Sequence, residues 1–147
     1  MIRTVIGTLV GALVIVPVTY MSADREPPFV RLPESRIIPF DVRSEQTFDV
    51  HWELYVNTHR VCHPVGLVKR SIIDSAGKVT SFEDVPSIAD PKNLRTKLDR
   101  QLKLPMGITT GPARYHAETC FACNPVQKLW PICITQPDIP FNVLPRL

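Results

Sequence analysis

Apolar and polar residues alternate one by one along residues 47–57, TFDVHWELYVN. Phe48, Val50, Trp52, Leu54 and Val56 share one parity, and Asp49, His51, Glu53, Tyr55 and Asn57 share the other. Successive side chains of a strand point to opposite faces, so this run predicts a strand with one buried face and Trp52 in the core. Shorter patterns of the same kind recur. Residues 36–42 predict a first strand. Residues 66–74 and 78–84 predict a hairpin around Ser75-Ala76-Gly77, where glycine accepts a positive φ. Asp90-Pro91 predicts a helical turn over 91–96. Beyond it, Leu98, Leu102 and Leu104 alternate with Lys97, Asp99, Gln101 and Lys103, which predicts a strand over 97–104. After a turn at 105–112, residues 113–123 place Tyr115, Ala117, Thr119 and Phe121 on one parity, and strands at 130–135 and 139–144 complete the series. Trp130 is expected to plug the core beneath its loop.

Such short segments, spaced roughly 8–12 residues apart, predict a mainly β chain, an immunoglobulin-like β-sandwich of about seven strands. The 15 prolines agree with this. They are spread along the chain at about twice the average usage, and proline is excluded from helix interiors and central ladder positions.

The N-terminal end has a different pattern. Residues 4–23, TVIGTLVGALVIVPVTYMSA, carry no charge. About 20 mostly apolar residues cross a bilayer core roughly 30 Å thick, and lipid forces such a segment to be helical. A transmembrane signal anchor is therefore expected over 1–23, its span beginning at Thr4 and kinked near its outer end by Pro17. Tyr20 and Met21 stand where a cleavage site wants small residues, which argues for retention of the helix. Gly7 and Gly11 form a G-x-x-x-G that predicts a weak homodimer through close helix approach. Residues 24–35, DREPPFVRLPES, predict an extended juxtamembrane linker stiffened by Pro27-Pro28, and 36–147 the sandwich domain. The orientation expected for a short head and a long folded tail is N-inside. The bilayer is then a partner, and the domain lies outside a bacterial inner membrane, in the periplasm.

Charge narrows the partners further. Of 17 basic residues only Arg3 precedes Asp24, which leaves 16 against 14 acidic residues in the remainder. The mixed-charge run KLDRQLK at 97–103 predicts a solvated face. Nucleic-acid binding needs a one-sided basic footprint, and none is present.

Four cysteines allow three disulfide pairings, and disulfides are the default in an oxidising compartment. Cys123 and Cys133 flank a compact loop and are expected to staple a hairpin; Cys62 is expected to reach Cys120 across the sandwich. Cys120 and Cys123 lie three apart on a strand, point to opposite faces and sit roughly 10 Å apart, beyond disulfide reach. That geometry also argues against a redox C-x-x-C, which needs a helix N-terminus to activate its thiol. The alternative is a periplasmic metal-binding or thiol-redox protein. His59, Cys62 and His63 (HRVCH) with His116, Cys120 and Cys123 (HAETCFAC) contain enough Cys/His ligands for zinc or copper. No G-x-S-x-G, H-E-x-x-H or phosphate-cradling glycine loop occurs. The favoured expectation is a non-enzymatic binding or structural module with no cofactor, facing an unknown protein or envelope partner.

The segment CNPVQKLWPI at 123–132, following GPARY at 111–115, resembles small single-span membrane proteins encoded by bacteriophages and prophages, which share a C-N-P-x-x-x-x-W-P-I segment. The resemblance covers the C-terminal stretch and brings no catalytic residues. It implies a phage-related, membrane-anchored, extracytoplasmic sandwich of undefined role.

Overall fold

The computed structural model describes residues 15–86 and 94–146. In chain order the strands are β1 (Phe29–Arg31), β2 (Arg36–Ile38), β3 (Asp41–Arg43), β4 (Thr47–Val56), β5 (His63–Ile73), β6 (Val79–Ser81), β7 (Val85–Pro86), β8 (Arg95–Lys103), β9 (Gly111–Ala122), β10 (Ile132–Thr135) and β11 (Ile139–Leu144). They form two sheets. In the first, β4 is central, with β8 on one side and β1 and β2 end to end on the other. In the second, β9 is central, flanked by β5 and by β10 and β11; β3 extends one edge beyond β11, and β6 and β7 pair with β5.

The long alternating run behaves as its pattern requires. Phe48, Val50, Trp52, Leu54 and Val56 are all buried on β4, as are Tyr115, Ala117, Thr119 and Phe121 on β9. These two faces meet in one apolar core. Phe48 stacks on Phe141 with ring centroids 5.8 Å apart, while Trp52 meets Tyr115 edge-on at 5.9 Å and Phe29 meets Phe121 at 5.0 Å. The β-sandwich is therefore as expected, built from more strands, several of them only two or three residues long. The first strand expected at 36–42 is split in two. Pro39 follows a cis bond from Ile38, and there the chain leaves the first sheet at β2 and joins the second at β3, which runs parallel to β11. The N-terminal edge is thus shared between the sheets, with β4 and β8 in one and β5, β9 and β11 in the other. Of the helical turn expected at 91–96, residues 91–93 lie outside the described residues, and Arg95 and Thr96 open β8.

The N-terminal transmembrane helix is corrected. No helix among the described residues is long and apolar enough to cross a membrane. Residues 15–23, including Pro17, are helical, but the end of this helix is held by polar groups of the sandwich. The Asn124 side chain donates to the Met21 carbonyl at 3.1 Å, and the Gln127 side chain to the Asp24 carbonyl at 2.7 Å. Bilayer contact through this helix is withdrawn with it. Thr4, Gly7 and Gly11, and with them the G-x-x-x-G face expected to form a homodimer, lie outside the described residues.

The stretch 24–35, expected as a linker, packs on the domain. It contains β1, registered against β4 from Phe29↔Val56 to Arg31↔Leu54. Ahead of β1, the Arg60 guanidinium grips Asp24 through two bonds of 2.8 and 2.6 Å and reaches Glu26 at 3.0 Å. Arg60 holds the Asp24 carboxyl below its usual range by hydrogen bonding, more than burial raises it.

Candidate functional site

Two regions concentrate the unusual side chains. The first is the tip where β5, β9 and β10 converge. All four cysteines are bonded there, as Cys62–Cys123 and Cys120–Cys133, each with Cα atoms 4.0 Å apart. The cysteines expected to form disulfides do so, but the expected partners are exchanged. The reason is strand register. Cys133 lies directly opposite Cys120 in the β10–β9 pairing, and Cys62 and Cys123 continue the β5–β9 ladder one step past His63↔Ala122. The hairpin loop separates Cys123 from Cys133, and β9 presents Cys120 to β10 instead. Two disulfides suggest an oxidising, extracytoplasmic environment.

Gln127 knits this tip together. It sits in a 3₁₀ turn, Val126–Lys128, with 2% of its surface exposed. Its side-chain oxygen accepts the Cys123 N–H at 2.8 Å, its own N–H donates to the Asn124 side chain at 3.0 Å, and its side-chain nitrogen donates to Asp24. The same turn throws Leu129 and Trp130 outward. Trp130 is 70% exposed, contrary to the expected core plug, with the Arg25 guanidinium 5.6 Å from its ring centroid.

The metal-ligand set does not assemble as free donors. Cys62, Cys120 and Cys123 are bridged, and no free cysteine occurs among the described residues. His59 and His63 are exposed. His116 bonds Asp138 at 2.8 Å. Glu118, Cys120 and Cys133 bring one ligand atom each within 4.8 Å of one another, but both sulfurs are joined to each other. On the outer face of the first sheet His51 bonds Asp99 and lies 3.4 Å from Glu53, which Lys97 also approaches at 3.2 Å. These contacts lower the Glu53 pKa, Lys97 contributing most. This is a solvated charge ladder across β4 and β8, as the sequence pattern predicts.

The second region is a cleft of about 90 Å³ between the two sheets. β4 contributes Trp52 and Leu54, β8 Leu98 and Arg100, β5 Val68 and Arg70, and β9 Tyr115, Ala117 and Thr119. Phe29, Val85, Pro86 and Gln136 complete its lining. A bulge shapes the β5 wall. The β5–β9 register shifts between Val65 and Lys69, with Gly66 at φ +74, a conformation that side chains resist. Beyond the bulge Val68, Arg70 and Ile72 share the inward parity. Arg70 is 8% exposed; one terminal nitrogen donates to the Glu83 carbonyl, while its Nε has no partner. Gln136 is 4% exposed, and its side-chain nitrogen is unpaired too. Burial pushes the Tyr115 hydroxyl up to about 12, against the pull of the neighbouring Arg70 and Arg100 charges. Arg31 Nε is likewise buried without a partner, but it lies outside the cleft.

None of Arg70, Arg100 or Gln136 stands out as a site residue in the sequence alone. For two of them there is a signal: Arg70 shares parity with Val68 and Ile72, and Arg100 with Leu98 and Leu102, so each places a charge on an otherwise apolar face.

No family model matches this chain, and no curated protein matches it. Among solved structures it is similar to part of the Pseudomonas fluorescens alkylpurine DNA glycosylase AlkC, bound to DNA containing an abasic site analog. The two share 12% identity at a TM-score of 0.46, over 86% of this chain and 33% of that one. So distant a likeness, to a third of a longer protein, carries no argument about function.

Proposed function

We propose that this chain is an extracytoplasmic, non-enzymatic binding module, a disulfide-stapled sandwich whose ligand enters between the sheets. The observation that carries this proposal is the cleft itself. Ligand pockets are mostly apolar concavities with a few convergent polar groups, and here Arg70, Arg100 and Gln136 converge on walls built from Trp52, Leu54, Leu98 and Val68. A role at the cell envelope, in a phage or prophage setting, is part of this proposal.

The test is nuclear magnetic resonance of the oxidised full chain titrated with a library of small fragments. Saturable shifts gathered at Trp52, Leu98 and Tyr115 are expected. Shifts scattered over the surface would sink the binding reading. So would turnover of envelope polymers or thiol exchange at enzyme-like rates.

A further inference from the structure

The chemistry of the cleft narrows the class of ligand, an inference that rests on the binding proposal above. Two arginines line it, Arg70 and Arg100, and among the described residues no Asp or Glu does. The unpaired polar atoms are both N–H donors, Arg70 Nε and the Gln136 side-chain nitrogen, each on a residue more than nine-tenths buried. A buried donor without an acceptor is costly. Arg70 spends other nitrogens on the Glu83 carbonyl and the Tyr115 hydroxyl, but its Nε, like the Gln136 nitrogen, makes no bond to the described residues. Around them the walls are aliphatic and aromatic. We infer that the cleft binds a small apolar anion, its carboxylate head set between Arg70 and Arg100 and its body against Trp52 and Leu98. Guanidinium favours this head, because its planar fork of donors matches the two carboxylate oxygens. The Gln136 amide supplies a further donor.

Four probes separate charge from apolarity: benzoate and hexanoate against benzyl alcohol and hexanol, titrated into the oxidised full chain and followed by resonance shifts at Trp52 and Tyr115. The carboxylates are expected to saturate at the cleft and to bind about tenfold or more tightly than their alcohols, the scale of a charge-assisted pair. Arg100→Met should remove that preference, and Arg100→Lys should keep part of it. Arg100 is half-buried, so its variants are the safer test if Arg70→Met fails to fold. Well-dispersed spectra confirm the fold of each variant. Equal binding of acids and alcohols, or a preference that survives Arg100→Met, overturns the anion inference and leaves the binding module standing. Binding by other fragments but by none of these four also overturns the inference alone. If no fragment of any chemistry binds the cleft, both fall.

Discussion

Gln127 and Gln136 are both buried glutamines, and they are used in opposite ways. At the tip, Gln127 has every side-chain atom engaged, tying the 3₁₀ turn to Cys123 and to the backbone at Asp24. In the cleft, Gln136 is held by its backbone, its N–H donating to Ala117 at 3.0 Å, while its side-chain nitrogen meets no partner. The contrast extends to the neighbours. The tip pairs Arg60 with Asp24 and Glu26, whereas Arg70 on the cleft wall leaves its Nε without a partner. Satisfied polar networks rigidify; unsatisfied ones mark places where something other than stability is served. One end of this sandwich is built to hold, and the space between its sheets to receive.

The largest effect should come from cutting the staples at the holding end. The bridges close separations of 61 and 13 residues. Replacing Cys62 and Cys123 by serine should cost about 4 kcal/mol, and Cys120 with Cys133 about 3 kcal/mol, since loop closure restrains the unfolded chain more when the loop is longer. Urea unfolding of the two double variants checks the size and the order. The glutamines then give the sharpest test of the contrast. Gln127→Met strands the Cys123 N–H and should cost about 1–3 kcal/mol, with faster hydrogen exchange near Asp24. Gln136→Met loses only an unpaired donor and should change stability by less than about 0.5 kcal/mol, or raise it. Equal losses would erase the distinction between the two regions. Arg60→Ala should cost about 1 kcal/mol or less, because its carboxylate partners are partly solvated.

A further effect is confined to acid. Asp74 accepts from the N–H groups of Thr109, Ala76 and Lys78, and these donors, Thr109 foremost, pull its carboxyl down to about 2. The folded value lies below the ordinary 3.8, so the contribution is complete above 3.8 and is lost as pH falls from there towards 2. Asp74→Asn should flatten the acid limb of the stability profile over that window and leave the neutral-to-basic limb parallel to the parent's.

Much of the sandwich is legible in the sequence because its faces are regular. β4 and β11 match their expected bounds closely, and Gly77 takes the positive φ expected of the hairpin turn, at +78. The sheet switch at Pro39 is not legible, since local alternation does not say which sheet a strand joins. Nor is the cysteine pairing, which depends on a register between strands that parity alone does not fix. Nor does hydropathy over 15–23 show that Asn124 and Gln127, a hundred residues away, bond to the carbonyls of Met21 and Asp24 at the helix end. The cleft lies between these cases. The leucines of β8 were visible by alternation, and Arg100, on the same parity, is the exception that carries the information.

The placement of the bridges bears on how the chain finds this structure as it oxidises. Both join residues that face each other rung for rung, and both are anchored on β9. In a β-ladder a slip of one residue turns every side chain to the wrong face. Once Cys120 is joined to Cys133 and Cys62 to Cys123, β10 and β5 are indexed against β9 from either side, and only one of the three possible pairings does this. The cysteines then act as alignment marks: oxidation fixes the registers in which β5 and β10 meet β9, and the apolar parity of β9 decides the interior face.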